Sequence, residues 1–226
     1  MKLLLILTLL FSGLIAEEYK NSFIKAECDI IISTEFDTCY NAKLNGANFV
    51  YFKITGKSYS YKKPAFKYNP ALSKQIQASP YEYAKKGYDR GHLFSRRSAS
   101  FSKSVVTESF YMTNITPQKP YFNRYIWYFT EKMERKLAKI YNKVEVIAGV
   151  IYSKNELNKN SIHIPSYFYK IIYIPSENKI ISYLFPAEAD YKSYFEIPLY
   201  RISTKELIKK INMTSNILIR LNFDNL

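Results

Sequence analysis

The stretch "YFNRYIWYFTEKMERKLAKIY" (residues 121–141) is the clearest helix signal in the sequence. It contains no glycine or proline, and its apolar residues recur at helical spacing. The positions that form this apolar face are Ile126, Phe129, Met133, Leu137 and Ile140. We expect this face to pack against the core of the protein.

Strand patterns flank this helix on both sides. Aromatic and β-branched residues at 47–54, 108–115, 144–152, 162–174, 179–185 and 217–221 are typical of strands. Between the first two, residues 55–86 are polar and are interrupted by three prolines, which predicts a long loop of functional importance. A capping box at residues 203–206 predicts the start of a second helix. Several strands with one long helix predict an α+β fold.

The N-terminus has the pattern of a secretory signal peptide, residues 1–16. Its apolar run, about residues 3–15, is too short to span a bilayer comfortably, although an uncleaved anchor is the alternative. Residues 17–226 contain no linker or repeat, which indicates a single domain. We therefore expect an exported protein, periplasmic or secreted, without stable membrane insertion after cleavage.

The chain of 226 residues is strongly basic, with a formal net charge of +14 at pH 7. Such a charge favours a polyanionic partner. Nucleic acid, anionic lipid and acidic glycan all satisfy it, so charge alone does not choose between them.

Cys28 and Cys39 are the only two cysteines. An even pair in an exported chain predicts a disulfide. A metal site would need more ligands, and no histidine lies near them in the sequence.

A second decisive stretch is "YDRGHLFSRR" (residues 88–97), which contains His92, one of two histidines in the chain. Asp89 and three arginines, Arg90, Arg96 and Arg97, surround it in sequence. Because nearby cations disfavour protonation, we expect a neutral imidazole that can accept a proton. A neutral base beside guanidinium groups suits chemistry on an anionic substrate.

The face of the 121–141 helix opposite its apolar stripe carries Asn123, Trp127, Glu131 and Arg135 at intervals of four residues. The amide and carboxylate oxygens on this face suit a hydrated hard cation such as Mg²⁺, and the arginine suits a phosphate. An ordinary solvated helix face is the alternative interpretation.

Taken in order, "DRGH" (89–92), "TNITPQ" (113–118), Asn123, Trp127 and Glu131 resemble the DNA/RNA non-specific endonucleases. These sugar-non-specific nucleases have a ββα-metal active site, and the family includes mitochondrial endonuclease G. The resemblance covers about residues 50–212. It implies a mostly antiparallel central sheet flanked by helices, and Mg²⁺-dependent hydrolysis of DNA and RNA to 5′-phosphorylated products.

The resemblance also implies roles for individual residues. His92 would be the general base that activates water. Arg90 would contact the phosphate and stabilise charge in the transition state. Asn123 would be the sole direct protein ligand of Mg²⁺, with Mn²⁺ as a possible substitute, and Glu131 would orient the waters of the metal. Asn114 would hold His92 or the phosphate in register.

Other positions carry weaker implications. We expect Asp89 to fix Arg90 or the local backbone, and Arg135 to bind phosphate or to be a solvated charge. The family has an arginine before the motif, whereas this chain has none before Arg90, and Lys63 is the best substitute. Lysine keeps the charge but loses the bidentate geometry of arginine.

The other basic and histidine side chains near these motifs leave alternatives open. Arg96 and Arg97 would add phosphate contacts or be surface charges. His163 lies in an alternating strand pattern without a matching family position, which indicates a structural or surface histidine.

Two further functions compete with the nuclease. A secreted basic protein that binds nucleic acid without cutting it would explain the charge, and so would a protein that binds membranes or glycans. Neither has a reason to keep His92, Asn123 and Glu131 together.

Overall fold

The computed structural model describes residues 28–83, 87–152, 162–189 and 194–211. The predicted signal peptide (1–16) and the predicted strand at 217–221 lie outside the described residues. None of the helices within these ranges is long and apolar enough to cross a membrane.

A seven-stranded antiparallel sheet forms the centre of the structure. Its strands in spatial order are β1 (Ile30–Ser33), β2 (Asp37–Asn41), β3 (Gly46–Thr55), β6 (Lys143–Tyr152), β7 (Pro165–Ile174), β8 (Lys179–Pro186) and β9 (Arg201–Ile202). The central strands β6 and β7 are rich in β-branched and aromatic residues, which pack well on a pleated surface.

The two remaining strands form a separate antiparallel pair, β4 (Asp89–His92) and β5 (Ile115–Gln118). A short helix, α1 (Lys103–Glu108), lies between them in sequence, followed by a 3₁₀ turn, Met112–Asn114. The long helix follows β5, so the two strands and this helix form a ββα unit.

The long helix has two parts. It begins as a π-helix, Phe122–Trp127, and continues as α2, Tyr128–Tyr141. It stops at Asn142, whose φ of 64° is left-handed, as is common at helix ends. A last helix, α3 (Thr204–Lys210), begins at Ser203, whose hydroxyl accepts a hydrogen bond from the Glu206 amide, so the predicted capping interaction is confirmed.

The central sheet separates two apolar cores. The larger core packs the long helix and the β4–β5 region against one face of the sheet. On the other face, Leu207 of α3 packs with the disulfide and with residues such as Tyr169 and Ile171. The helices α2 and α3 therefore lie on opposite faces of the sheet.

The α+β class and the mostly antiparallel sheet are as predicted, and so are the long helix and the strands near 47–54, 144–152, 165–174 and 179–185. The predicted strand at 108–115 is wrong, because these residues end α1, form a 3₁₀ turn and begin β5. The predicted helix face is only partly correct. Ile126 is buried, but Ile140 is 57% exposed, and Trp127, assigned to the outer face, is fully buried.

The disulfide between Cys28 and Cys39 is present, with a Cα–Cα distance of 5.1 Å. Both cysteines are buried against the smaller core. The bridge ties the first described residue to the middle of β2 and fixes the edge of the sheet.

Candidate active site

The strand β4 directs two motif side chains to the same side. Alternate residues of a strand point to opposite faces, so Arg90 and His92 leave β4 together. Phe66 packs on both, with its ring centre 4.4 Å from the guanidinium carbon of Arg90 and 5.4 Å from the His92 ring. Phe110 packs edge-on against His92 at 4.7 Å, and Arg90 donates to the Pro80 carbonyl at 3.2 Å. Aromatic packing thus holds the side chains of His92 and Arg90 in place.

Gly91 lies between them and faces the neighbouring strand β5. A Cβ at this position would collide with the side chain of Gln118. The buried side chain of Gln118 therefore occupies the space that a side chain at position 91 would need.

His92 is neutral in this environment. Its pKa is lowered to about 3, mainly by burial and also by the positive charges of Lys63 and Arg96. The neutral imidazole predicted from the sequence therefore agrees with the structure, although burial is the main cause. The contribution of Lys63 also shows that the exposed 61–67 segment brings this lysine near the base.

Asn123, at the start of the long helix, is oriented by Asp89. Its amide nitrogen donates to one carboxylate oxygen of Asp89 at 2.9 Å, which leaves the amide oxygen to face other groups. Arg124 donates to both oxygens of the same carboxylate, at 2.9 and 2.8 Å. Partial burial of Asp89 raises its pKa, but the hydrogen bonds from Arg124 and Asn123 outweigh it, and the net pKa is lowered. Asp89 was expected to fix Arg90 or the local backbone, whereas its side chain bonds Asn123 and Arg124.

Trp127 joins the helix to the motif strand. Its indole N–H donates to the backbone carbonyl of His92 at 2.8 Å, and its side chain is fully buried. Because residues 122–127 are a π-helix, the turn carrying Asn123 is wider than an α-helical turn. Asn123 and Trp127 both donate to β4, at Asp89 and at the His92 carbonyl, so the stripe predicted as an outer face is turned towards this strand.

Glu131 lies one turn further along the helix and is mostly buried. The pKa of Glu131 is raised to about 7, mainly by burial and also by the negative charge of Glu134. The positive charges of Lys170 and Arg135 and the Ser95 hydroxyl act in the opposite direction and lower this pKa. The Arg135 guanidinium lies 3.9 Å from the Glu131 carboxylate. Arg135 is therefore partnered within the site and is not a free solvated charge.

A buried ion pair supports this part of the helix from below. Lys170, in the middle of β7, donates to Glu134 at 2.9 Å, and both side chains are fully buried. The second Glu134 oxygen accepts a hydrogen bond from Ser98 at 2.6 Å, and the hydroxyl of Ser95 donates to that of Ser98. These contacts connect the central sheet, α2 and the loop that follows the DRGH motif.

Asn114 has a structural position. It is fully buried, and its amide bonds to the backbone of Phe94 at both N–H and carbonyl and to the Ser109 carbonyl, at 2.8–2.9 Å. It therefore cannot contact a phosphate, and its predicted catalytic role is corrected to one of positioning. It fixes the chain two residues after His92.

The residues around the candidate base carry several further positive charges. Arg96 donates to the Tyr61 carbonyl at 3.2 Å, and Arg97 donates to the Tyr128 hydroxyl at 3.2 Å. Lys63 is exposed. Lys63 and Arg96 contribute to the lowered pKa of His92, and Arg135 lies 3.9 Å from the Glu131 carboxylate.

The donor set limits the kind of cation that could bind. Across the described ranges no group of three or more His, Cys, Asp or Glu side chains could hold a metal ion. The oriented amide oxygen of Asn123 and the carboxylate of Glu131 are hard oxygen donors, and they are few. Such a set fits a cation like Mg²⁺, which keeps most of its waters, and does not fit zinc.

The sequence reasoning missed the groups that orient the predicted residues. Arg124, Ser95, Ser98, Glu134 and Lys170 carry no motif of their own. One signal was visible, because a lysine within the apolar strand "FYKIIYI" needs a buried partner. Its partner, Glu134, sits at a helix position that the apolar pattern left for solvent.

Comparison with known proteins identifies the family. Residues 16–216 match the family model described as DNA/RNA non-specific endonuclease. The mitochondrial nuclease of Saccharomyces cerevisiae is 30% identical over 61% of this chain and 48% of its own length. Mitochondrial endonuclease G of Bos taurus is 28% identical over 64% and 54%, and that of Homo sapiens 25% identical over 80% and 68%. The chain thus spans about half the length of the first two relatives.

A solved structure shows the same fold. This chain superposes on a chain of the crystal structure of the EndoG/EndoGI complex, which describes the mechanism of EndoG inhibition. The TM-score is 0.69, the alignment covers 80% of this chain and 83% of that chain, and the sequence identity is 21%. Since the family model covers most of the sequence, this chain belongs to the DNA/RNA non-specific endonuclease family.

The buried pair of Glu134 and Lys170 yields a stability prediction. Glu134→Leu leaves a buried, unpaired ammonium, so we expect a loss of about 3–5 kcal/mol in the free energy of unfolding. The double variant Glu134→Leu/Lys170→Met removes both charges and should lose clearly less. Urea denaturation measures both. Equal losses in the two variants would show that charge pairing is not what holds this region.

The depressed pKa of His92 predicts an acid-sensitive fold. The unfolded chain takes up a proton below its ordinary pKa of 6.5, whereas the folded protein does so only near pH 3. Wild-type stability therefore falls as the pH drops through this window, by about 1.4 kcal/mol per unit. His92→Gln lacks this term, so its stability relative to wild type should rise by about 2 kcal/mol between pH 7 and pH 5.

Urea denaturation at the two pH values tests this difference. His163→Gln is the control, because burial lowers the pKa of this less buried histidine too, and its effect should be smaller. Parallel stability curves for wild type and His92→Gln would contradict a buried neutral His92.

Proposed function

We propose that this protein is an exported, Mg²⁺-dependent endonuclease that hydrolyses phosphodiester bonds of DNA and RNA with little sequence preference. One observation carries the proposal. A buried neutral histidine and an asparagine with an oriented amide oxygen are joined through β4, where Asp89 bonds Asn123 and the His92 carbonyl accepts from Trp127. A protein that only binds nucleic acid has no need for this arrangement.

The residues of the site divide the work of hydrolysis. His92 accepts the proton of the attacking water: it is neutral in the free protein, and the negative charge of a bound phosphate raises its pKa towards the range in which a general base is effective. Arg90 is held by Phe66 and the Pro80 carbonyl, and stabilises negative charge on the phosphate. Lys63 and Arg96 add positive charge beside the base. Lys63 stands where the family pattern has arginine.

Asn123 would hold the cation directly, and Glu131 would orient the waters that complete its shell. Mg²⁺, or Mn²⁺ in its place, would supply positive charge for the scissile phosphate and the leaving oxygen. Asp89 keeps the Asn123 amide in the orientation that presents oxygen. The Glu131 carboxylate is paired with Arg135 at 3.9 Å and would accept hydrogen bonds from the waters of the cation.

Low sequence preference and export are consistent with this chemistry. Contacts to phosphates carry no sequence information, so a site built from cations accepts DNA and RNA of any sequence. The disulfide and the N-terminal sequence pattern support an oxidising compartment outside the cytoplasm.

Cleavage of circular double-stranded DNA and of RNA tests the proposal. We expect cleavage with Mg²⁺ and none with EDTA, because hydrolysis depends on the cation that Asn123 would hold. His92→Ala should lower the rate about 10²–10⁴-fold, since it removes the general base. Asn123→Ala should also be strongly impaired.

His163→Ala is the matched control, as it removes the other histidine, and it should cut at the wild-type rate. If the wild-type protein retards DNA on a gel but cuts neither substrate with any divalent cation, the protein is a nucleic-acid binder and the proposal is wrong.

A further inference from the structure

A groove with a volume of about 630 Å³ runs beside the candidate active site. One wall is the outer face of α2, and the other is the segment 55–61. None of the roles proposed above for catalysis uses the far part of this groove.

The helix wall presents a row of lysines. Lys132, Lys136 and Lys139 are exposed and spaced four and three residues apart, so they share one helix face. At 1.5 Å per residue the row is about 10 Å long. The three ammonium groups can therefore contact the phosphates of successive nucleotides of one strand. Lys57 and Arg97 also line the groove, and no Asp or Glu belongs to its lining among the described residues.

The opposite wall presents a tyrosine in a fixed position. Tyr59 is 55% exposed, yet its backbone N–H donates to the Ser100 carbonyl at 2.8 Å. The Ser58 hydroxyl is also bonded to that of Ser100, at 2.8 Å. An exposed ring on an anchored backbone is a platform on which an unpaired base can stack.

The groove borders the candidate active site. Arg96 and Arg135 belong to its lining; Arg135 lies 3.9 Å from the Glu131 carboxylate, and Arg96 follows His92 by four residues. A strand that enters the groove is therefore led to the base and the cation ligand.

We propose that this groove binds about three nucleotides of a single-stranded segment next to the cleaved bond. The α2 lysines contact the phosphates, and Tyr59 stacks on a base. This inference rests on the proposed function, because it names the form of the substrate at the same site.

Binding of fluorescent oligodeoxythymidine, measured by anisotropy in EDTA, tests the groove without cleavage. The full-length protein carries His92→Ala in every arm, so cutting cannot interfere. In this background Lys132→Gln/Lys136→Gln/Lys139→Gln should lower affinity at least tenfold. It should also reduce the slope of log K against log salt by about 2, as expected for three phosphate contacts on a single strand.

The matched control removes three lysines from the opposite face of the sheet. Lys205→Gln/Lys209→Gln/Lys210→Gln lies on α3 and changes the net charge equally. It should leave both affinity and slope near the parent values. Equal effects of the two triple variants would show that only net charge matters and would overturn the proposal.

Tyrosine substitutions test the stacking surface. Tyr59→Ala should weaken single-strand binding about tenfold and leave duplex binding nearly unchanged. Tyr167→Ala is the control, since Tyr167 is exposed and, by strand alternation, faces the α3 side. No effect of Tyr59→Ala, or an equal effect on duplex, would overturn the single-strand assignment.

The two proposals fail separately. Absence of cleavage by wild-type protein with intact groove binding would refute only the nuclease function. Cleavage with a groove triple variant that binds like the parent would refute only the groove.

Discussion

The hydrogen bond from the Trp127 indole to the His92 carbonyl is the joint on which the site depends. It fixes the end of the motif strand against the start of the long helix at 2.8 Å. Phe122, Phe168 and Phe185 surround the indole, so the joint lies inside the larger core. The positions of His92 and Asn123 are therefore set by core packing, even though both lie at the edge of the core.

Charged side chains are paired in the core around the Trp127–His92 hydrogen bond, whereas lysines on the outer face of α2 are exposed. Below the helix, the fully buried Lys170 is paired with Glu134 and lies 4.2 Å from the centre of a Trp127 ring. Beside the base, Asp89 is the carboxylate that holds Asn123. Along the outer face of α2, exposed lysines line a groove without a carboxylate in its lining. Carboxylates thus orient neighbouring side chains, whereas the exposed lysines face the groove.

The sequence predicted the elements with strong periodicity and the residues within the motif. The long helix and the central strands follow from apolar patterns, and His92, Asn123 and Glu131 from their order. The partners of these residues could not be predicted, because Asp89–Asn123 and Ser98–Glu134 contacts join segments more than 30 residues apart. Trp127 and Ile140 were misplaced because the buried face of the helix runs through Trp127, Glu134 and Ala138 and not along the most apolar positions.

The arrangement of the site is tested most directly by a crystal structure of the His92→Ala variant with an uncleaved oligonucleotide and Mn²⁺. Anomalous scattering locates the ion without reference to the protein geometry. We expect an Mn²⁺ peak at the amide oxygen of Asn123, with the scissile phosphate between the ion and residue 92. An ion bound away from Asn123, with the phosphate remote from residue 92, would contradict it.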